Sequence, residues 1–154
     1  MVTQEWPLGR FFSFLTKQYI GKLTIRLEHT PIERYYFPLY LIGKNDGKIS
    51  QKELAELLLM DKVSMVRILD ALQSDGFIER KVNPGDRRQH RLHITKKAEP
   101  WIIEIENGIK ETNEYFLNLI DPEIRPKFEA ILTDLIAKTQ EIPADGFEFF
   151  YPKK

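Results

Sequence analysis

The chain has 154 residues, of which 42% are hydrophobic and 30% are charged, a composition typical of a folded protein rather than a disordered one. No apolar run approaches the roughly 18 residues that cross a bilayer, and the N-terminus lacks the basic start and apolar stretch of a signal peptide. We therefore expect a cytoplasmic protein without a membrane partner. The absence of cysteine excludes disulfides, thiolate nucleophiles and cysteine-based zinc sites.

Charge is distributed unevenly although the totals balance at 23 basic and 23 acidic residues. Residues 62–97 hold 9 Lys and Arg against 4 Asp and Glu, whereas residues 98–154 hold 6 against 12. Binding to phosphates depends on local charge rather than on the total. The middle segment therefore remains compatible with a nucleic-acid partner.

Four helices are predicted in the first half of the chain. Apolar spacings of three and four predict the first helix over 11–27. Thr30 as N-cap and Pro31 at the first helical position predict a second helix over 32–43, which Pro38 should bend or shift. A capping box of Ser50 and Glu53 begins the third helix, over 51–59. An N-cap at Asp61 begins the fourth, over 62–74, and Gly76 ends it.

The next segment changes to the period of a strand. Residues 77–82 and 91–95 predict two strands around a turn at 83–86, which together form a hairpin with Arg87, Arg88 and Arg91 at its tip. The helical period returns over 96–119, and a last helix starts at 121–122 and runs to 139. The aromatic tail at 147–151 is too apolar for water, so we expect it to pack on the terminal helices.

The predicted fold class is mainly α with a small β-hairpin wing. It is a winged helix-turn-helix flanked by N- and C-terminal dimerisation helices. The expected organisation is a dimerisation helix in residues 1–30, a DNA-binding domain in 31–98, and dimerisation helices with the aromatic tail in 99–154.

Two short helices joined by a tight turn and followed by a basic hairpin suit duplex DNA. A helix fits the major groove, and an arginine of a hairpin can enter a narrow minor groove. The apolar stripe of the fourth helix faces inward and leaves its other side for DNA. The candidate DNA-binding residues are Ser50, Gln51, Lys62, Val63, Ser64, Val66, Arg67, Asp86, Arg87, Arg88 and Arg91.

Four sequence runs carry a resemblance to a known family. They are Ile-Ser-Gln-Lys-Glu-Leu-Ala at 49–55, residues 62–67 with Asp70 and Leu72, Gly-Phe-Ile-Glu-Arg at 76–80, and Asp-Arg-Arg at 86–88 followed by Leu-His-Ile-Thr at 92–95. These runs resemble the helix-turn-helix and wing of the MarR (multiple antibiotic resistance regulator) family. The resemblance implies a homodimeric transcription regulator, commonly a repressor, on a palindromic operator of double-stranded DNA. It also implies that Arg88 contacts DNA and that Asp86 holds it in place.

The resemblance implies a small aromatic or phenolic effector as well, bound between the dimerisation helices and the DNA-binding lobe. His29, Tyr35 and Tyr36 are the candidate lining residues, and no cofactor is implied. Two positions depart from the family pattern. Leu59 stands in the turn where the family usually has glycine, which is tolerable only if the turn avoids a positive φ. Val63 replaces a residue that is more often polar, which should change base preference.

Other interpretations of the same residues remain open. Arg67 could pair with Asp70, Asp86 and Arg88 could serve only the turn, and the basic hairpin could be a solvated edge. His90 and His93 should point to opposite faces of a strand, so we expect no metal site. We find no phosphate loop and no nucleophile elbow, so we expect no enzyme. The alternative function is a winged-helix module that docks a protein, favoured if Asp61, Asp70 and Asp75 neutralise the basic face.

Overall fold

The computed structural model describes residues 7–32, 35–139 and 142. Its elements in chain order are α1 (Leu8–Arg26), α2 (Tyr36–Lys44), α3 (Gln51–Leu57), α4 (Lys62–Ser74), β1 (Ile78–Asn83), β2 (Asp86–Ile94), α5 (Glu99–Leu117) and α6 (Arg125–Thr139). This order confirms the predicted class of a helical protein with a hairpin wing. Among these residues, no helix combines the length and the apolar character that spanning a membrane requires.

Several predicted boundaries were wrong, most clearly that of the second helix. The amide and hydroxyl of Thr30 both donate to the carbonyl of Leu27, at 2.9 and 2.8 Å, so Thr30 closes a turn instead of capping a new helix. Helix α2 begins at Tyr36. Pro38 consequently lies in its first turn, where a missing N–H breaks no helical bond.

Two further helix ends differ from the predicted ones, because turns form where the sequence pattern predicted helix. Helix α3 ends at Leu57, two residues earlier than predicted. Helix α6 begins only at Arg125, because the carboxylate and carbonyl of Asp121 accept the amides of Glu123 and Ile124 at 2.9 Å each. The predicted aromatic tail lies outside the described residues.

The described residues fall into two compact units. One unit consists of the described residues up to 26 and from 108 onward, and the other of the described residues between 27 and 107. Helix α5 contributes residues to both units, because the division falls between Asn107 and Gly108.

The unit of residues 27–107 contains the helix-turn-helix and the hairpin. Leu39, Leu54, Met65, Leu69 and Leu92 are each completely buried in its core. They come from α2, α3, α4 and β2, so one apolar core joins the helix-turn-helix to the hairpin. Because burial of each such side chain stabilises a fold by about 1.5–3 kcal/mol, this shared core fixes the hairpin beside α4.

The hairpin is antiparallel, with Ile78 opposite Ile94 and Val82 opposite His90. The register then shifts, so that Asn83 faces Asp86 and residues 87–89 have no partner in β1. On the other side of β2, the amide of Leu92 donates to the carbonyl of Ile49 at 2.9 Å. This short additional pairing ties the wing to the start of α3.

The other unit contains α1, α6 and the C-terminal part of α5. The hydroxyl of Tyr19 donates to Oδ1 of Asn113 at 2.7 Å, and the guanidinium of Arg26 binds both carboxylate oxygens of Glu111 at 2.5 and 3.0 Å. These bonds join α1 to α5. Helix α6 buries none of its residues in the single chain.

Candidate nucleic-acid interface

Both helices of the helix-turn-helix begin with the caps that the sequence predicts. The Ser50 hydroxyl accepts the amide of Glu53 at 3.3 Å, and the Glu53 carboxylate accepts the amide of Ser50 at 2.7 Å. Asp61 accepts the amides of Val63 and Ser64 at 2.8 and 2.9 Å. Hydrogen bonds from the side chain and amide of Ser64, and then from Val63, hold the pKa of Asp61 below its usual value. These caps fix where each helix starts.

The turn between these helices contains a residue with a positive φ. Leu59 has φ 50°, and the amide of Met60 donates to the carbonyl of Ala55 at 2.9 Å across it. Helix α4 ends in the same way at Gly76, with φ 74° and the amide of Phe77 donating to Leu72 at 2.9 Å. Both ends are Schellman motifs, which favour glycine at the left-handed position. A leucine therefore takes a strained conformation at a turn position that favours glycine.

Helix α4 presents one face to the core and the opposite face to solvent. Met65, Ile68 and Leu69 are buried, whereas Lys62, Val63 and Arg67 are exposed. Ser64 and Val66 are half-buried at the sides of the helix. At 3.6 residues per turn, Val63 and Arg67 occupy the middle of the outward face. These are the positions from which a recognition helix would contact base edges.

The wing turn is organised by two short side chains. Oδ1 of Asn83 accepts the amide of Gly85 at 3.0 Å, and Oδ1 of Asp86 accepts the amide of Arg88 at 3.0 Å. Asp86 therefore holds the backbone of Arg88, a contact that fits both the turn interpretation and the role implied by the resemblance. Arg87 and Arg88 lie in the segment that β1 leaves unpaired, and both are exposed.

Arg91 does not lie at the tip of the wing. It stands opposite Lys81 within the hairpin, and its Nη1 donates to Oε2 of Glu53 and to the carbonyl of Lys48, both at 2.8 Å. Hydrogen bonds with Ser50 and then the charge of Arg91 hold the pKa of Glu53 below its usual value. Glu53 thus caps α3 and anchors the wing at once. The capping box was visible in the sequence, but its second partner was not.

Arg80 makes a second connection between the wing and the helix-turn-helix. Its two terminal nitrogens donate to Oδ1 of Asp70 at 2.7 Å and to Oε1 of Gln73 at 2.9 Å. Asp70 therefore pairs with Arg80 and not with Arg67. Because Arg80 lies on β1 while its two partners lie on α4, this contact orients the hairpin against α4. The sequence resemblance included Arg80 but gave it no role.

The basic side chains divide into paired and unpaired groups. Arg80 and Arg91 have carboxylate partners. Within the described residues, the side chains of Lys62, Arg67, Arg87 and Arg88 have no hydrogen bond or ion pair, and all four are exposed. The unpaired cations lie on the outward face of α4 and in the wing, where the sequence predicted DNA contacts.

The remaining predicted DNA-binding residues lie at the start of α3. Ser50 is buried, with 7% of its surface exposed, and its hydroxyl serves the capping box. Gln51, the first residue of α3, is half-buried.

The three candidate effector-binding residues differ in exposure. His29 is exposed, with Nε2 3.2 Å from Oε1 of Glu104. Tyr35 is half-buried just before α2, and Tyr36 is buried, with only 5% of its surface exposed. His93 lies 3.6 Å from Asp46, and no group of three possible metal ligands occurs in the part of the chain that the structure describes.

Comparisons with known proteins point to one family. Residues 38–89 match the family model described as the MarR family. A MarR transcriptional regulator from Methanosarcina mazei has 23% sequence identity and a TM-score of 0.78, over 88% of this chain and 98% of that one. A MarR protein from Peptoclostridium difficile has 19% identity and a TM-score of 0.79, over 91% and 93%. MepR of S. aureus, solved in complex with DNA, has 18% identity and a TM-score of 0.76, over 87% and 99%. At these identities the likeness establishes the fold.

Proposed function

We propose that this chain is a MarR-family transcription regulator that binds duplex DNA, because residues 38–89 match the family model and the fold is similar to that of a MarR transcriptional regulator. The proposed partner is a palindromic operator, bound by a homodimer with one recognition helix per half-site. The similar MepR was solved with DNA, which supports this partner. Helix α4 would enter the major groove while the wing contacts the neighbouring backbone or minor groove.

The unpaired cations are the observation that carries the proposal. Exposed ammonium and guanidinium groups without carboxylate partners remain available to neutralise phosphates, and each such interaction releases counterions. Lys62 and Arg67 would act from α4, and Arg87 and Arg88 from the wing. Arg91 would support the wing through Glu53 instead of contacting DNA directly.

The acidic residues near this face bear on the alternative of a protein-docking module. Asp61 is engaged with the amides at the start of α4, and Asp70 is engaged with Arg80. Within the described residues, Asp75 forms no ion pair with the basic face. These carboxylates therefore do not neutralise the unpaired cations, and the docking module loses the observation that would have favoured it.

A homodimer is supported by apolar surface that the single chain leaves uncovered. Helix α6 exposes Ile131, Leu132, Leu135 and Ile136 by 49%, 37%, 43% and 62%, and their spacing places them on one stripe. Helix α1 also exposes Phe12 and Leu15 by 47% and 50%. Apolar stripes of this kind mark protein interfaces. We therefore assign dimerisation to the terminal helices.

Repression and ligand response complete the proposal. An aromatic or phenolic effector would shift the population towards a spacing of recognition helices that no longer fits successive major grooves. His29 and Tyr35 are the more accessible candidate residues, since Tyr36 is mostly buried. Soaking with salicylate-like acids tests this assignment, and unchanged environments of both residues would count against it.

The decisive experiment measures affinity for the DNA upstream of the protein's own gene over a series of salt concentrations. For a phosphate-binding regulator, log affinity falls with log salt by about 0.9 for each phosphate neutralised. Replacing Arg88 by alanine should weaken binding to all sequences and reduce the slope by about one if its guanidinium neutralises one phosphate. Replacing Arg67 should also change the sequence preference if it contacts bases.

Lys127→Ala provides the control, because this exposed lysine lies on α6, outside the winged helix. It should leave the slope unchanged. Equal affinities and slopes for the Arg88→Ala variant and the unaltered protein would refute the wing assignment. Failure to bind any duplex, in the absence of a copurified ligand, would instead favour the docking module.

A further inference from the structure

Val63 is an apolar residue in the middle of a charged, outward face. It exposes 59% of its surface, on the side of α4 opposite the buried Met65 and Leu69. This exposed surface adds little to the stability of the single chain, because water still covers most of it. Arg67 lies one turn further along the same face.

The surroundings of Val63 hold its side chain in a defined direction. Oδ1 of Asp61 accepts the amide of Val63 at 2.8 Å, which fixes the first turn of the helix. A β-branched valine in a helix has one strongly preferred rotamer. Val63 therefore presents its two methyl groups outward with little conformational entropy left to lose on binding.

An exposed, apolar side chain on a helix in the major groove is best matched by an apolar group on a base. In the major groove, thymine presents a C5 methyl group beside its O4 acceptor, whereas none of the other three bases carries a methyl group there. We propose that Val63 recognises the C5 methyl of a thymine in each operator half-site. This inference rests on the proposed DNA-binding function and adds to it one specificity-determining contact.

The position of Arg67 extends the expected half-site. Four residues of helix span about 6 Å along the axis, close to two base-pair steps of about 3.4 Å each. A guanidinium on the major-groove side is best matched by O6 and N7 of guanine. We therefore expect a thymine and a guanine within about two base pairs of each other. The unpaired charges of Lys62 and Arg67 beside Val63 favour a polyanion over a protein as the occupant of this face.

The test starts by selecting duplexes from a random-sequence library with the full chain. Each thymine of the selected half-site is then replaced by deoxyuridine, which removes only the C5 methyl, and affinity is measured at fixed salt. Removing one buried methyl group should weaken binding about fourfold per half-site. The effect should occur at one thymine and depend on Val63.

The variants are Val63→Ala and, as the matched control, Val82→Ala. Val82 is a valine of similar exposure, 54%, but lies on β1. Val63→Ala should bind the thymine duplex more weakly and show no further weakening with deoxyuridine. Val82→Ala should retain the full deoxyuridine effect. Because Val63 is exposed, its replacement should leave the fold intact, which circular dichroism verifies.

The outcomes separate this inference from the proposed function. A deoxyuridine effect of equal size in Val63→Ala and in the unaltered protein, or no effect at any thymine, would overturn the thymine assignment while salt-dependent DNA binding persists. Failure to select or bind any duplex would overturn both. A single sensitive thymine whose effect disappears only in Val63→Ala is the result we expect.

Discussion

Replacing Gly47 by alanine should destabilise the winged helix more than the same replacement at Gly76 or Gly85. Gly47 has φ 70°, and its amide donates to the carbonyl of Leu92 at 2.9 Å. A Cβ atom at this position would overlap Cε1 of His93 and lie 3.0 Å from its Nδ1. Both the backbone conformation and the neighbouring imidazole therefore oppose a side chain.

The structure allows the two contributions to be separated. A left-handed conformation costs an L-residue about 1–2 kcal/mol. Carbon atoms prefer separations of about 3.5–4.0 Å, so the His93 ring would have to move, and such overpacking typically costs about 1–3 kcal/mol. The expected loss is therefore about 2–5 kcal/mol, a large part of the roughly 5–15 kcal/mol that stabilises an ordinary domain.

The other two glycines serve as matched controls. Gly76 has φ 74° but open space, with its nearest neighbour at 3.9 Å, so Gly76→Ala should lose only the backbone part. Gly85 lacks a positive φ and would make an ordinary contact of 3.6 Å, so Gly85→Ala should change stability by less than about 0.5 kcal/mol. Urea unfolding at one protein concentration measures all three variants.

Combining Gly47→Ala with His93→Ala completes the test. Removing the imidazole should recover the steric part of the loss, so the two changes together should cost less than the sum of the single changes. If Gly47→Ala costs no more than Gly76→Ala, or if the two changes add without coupling, the assigned steric conflict is wrong.

Three further predictions concern the turn, the capping box and the dimer. Leu59→Gly should raise the free energy of unfolding by about 0.5–1 kcal/mol, because it relieves a left-handed leucine that is 71% exposed; lower stability in urea unfolding would contradict this. Because the pKa of Glu53 is lower in the folded state than its usual value of 4.5, the ionised carboxylate stabilises the fold at pH values above 4.5. This contribution is lost as the pH falls through the lowered pKa of the folded state. Glu53→Gln should therefore weaken the pH dependence of unfolding in this acid range, and an unchanged dependence would exclude the effect. Leu135→Asp should dissociate the proposed dimer in light scattering, whereas Thr133→Asp, off the apolar stripe of α6, should not; a dimer that survives both changes would place the interface elsewhere.

The order of elements and the local chemistry of the helix-turn-helix could be predicted from the amino-acid sequence alone. The caps at Ser50 and Asp61 and the turn chemistry at Asp86 involve residues two or three positions apart, so spacing alone revealed them. The face of α4 that carries Val63 and Arg67 followed from the helical period.

The pairing of charges and the strained backbone position, in contrast, became visible only in the folded chain. Arg91 pairs with Glu53, 38 positions away in the sequence, and Arg80 pairs with Asp70, 10 positions away. Spacing in the sequence therefore could not distinguish these paired arginines from the unpaired Arg67 and Arg88. The positive φ of Leu59 likewise depends on how α3 and α4 pack, because the shared core fixes the chain between them and the leucine must adopt the conformation that the turn requires.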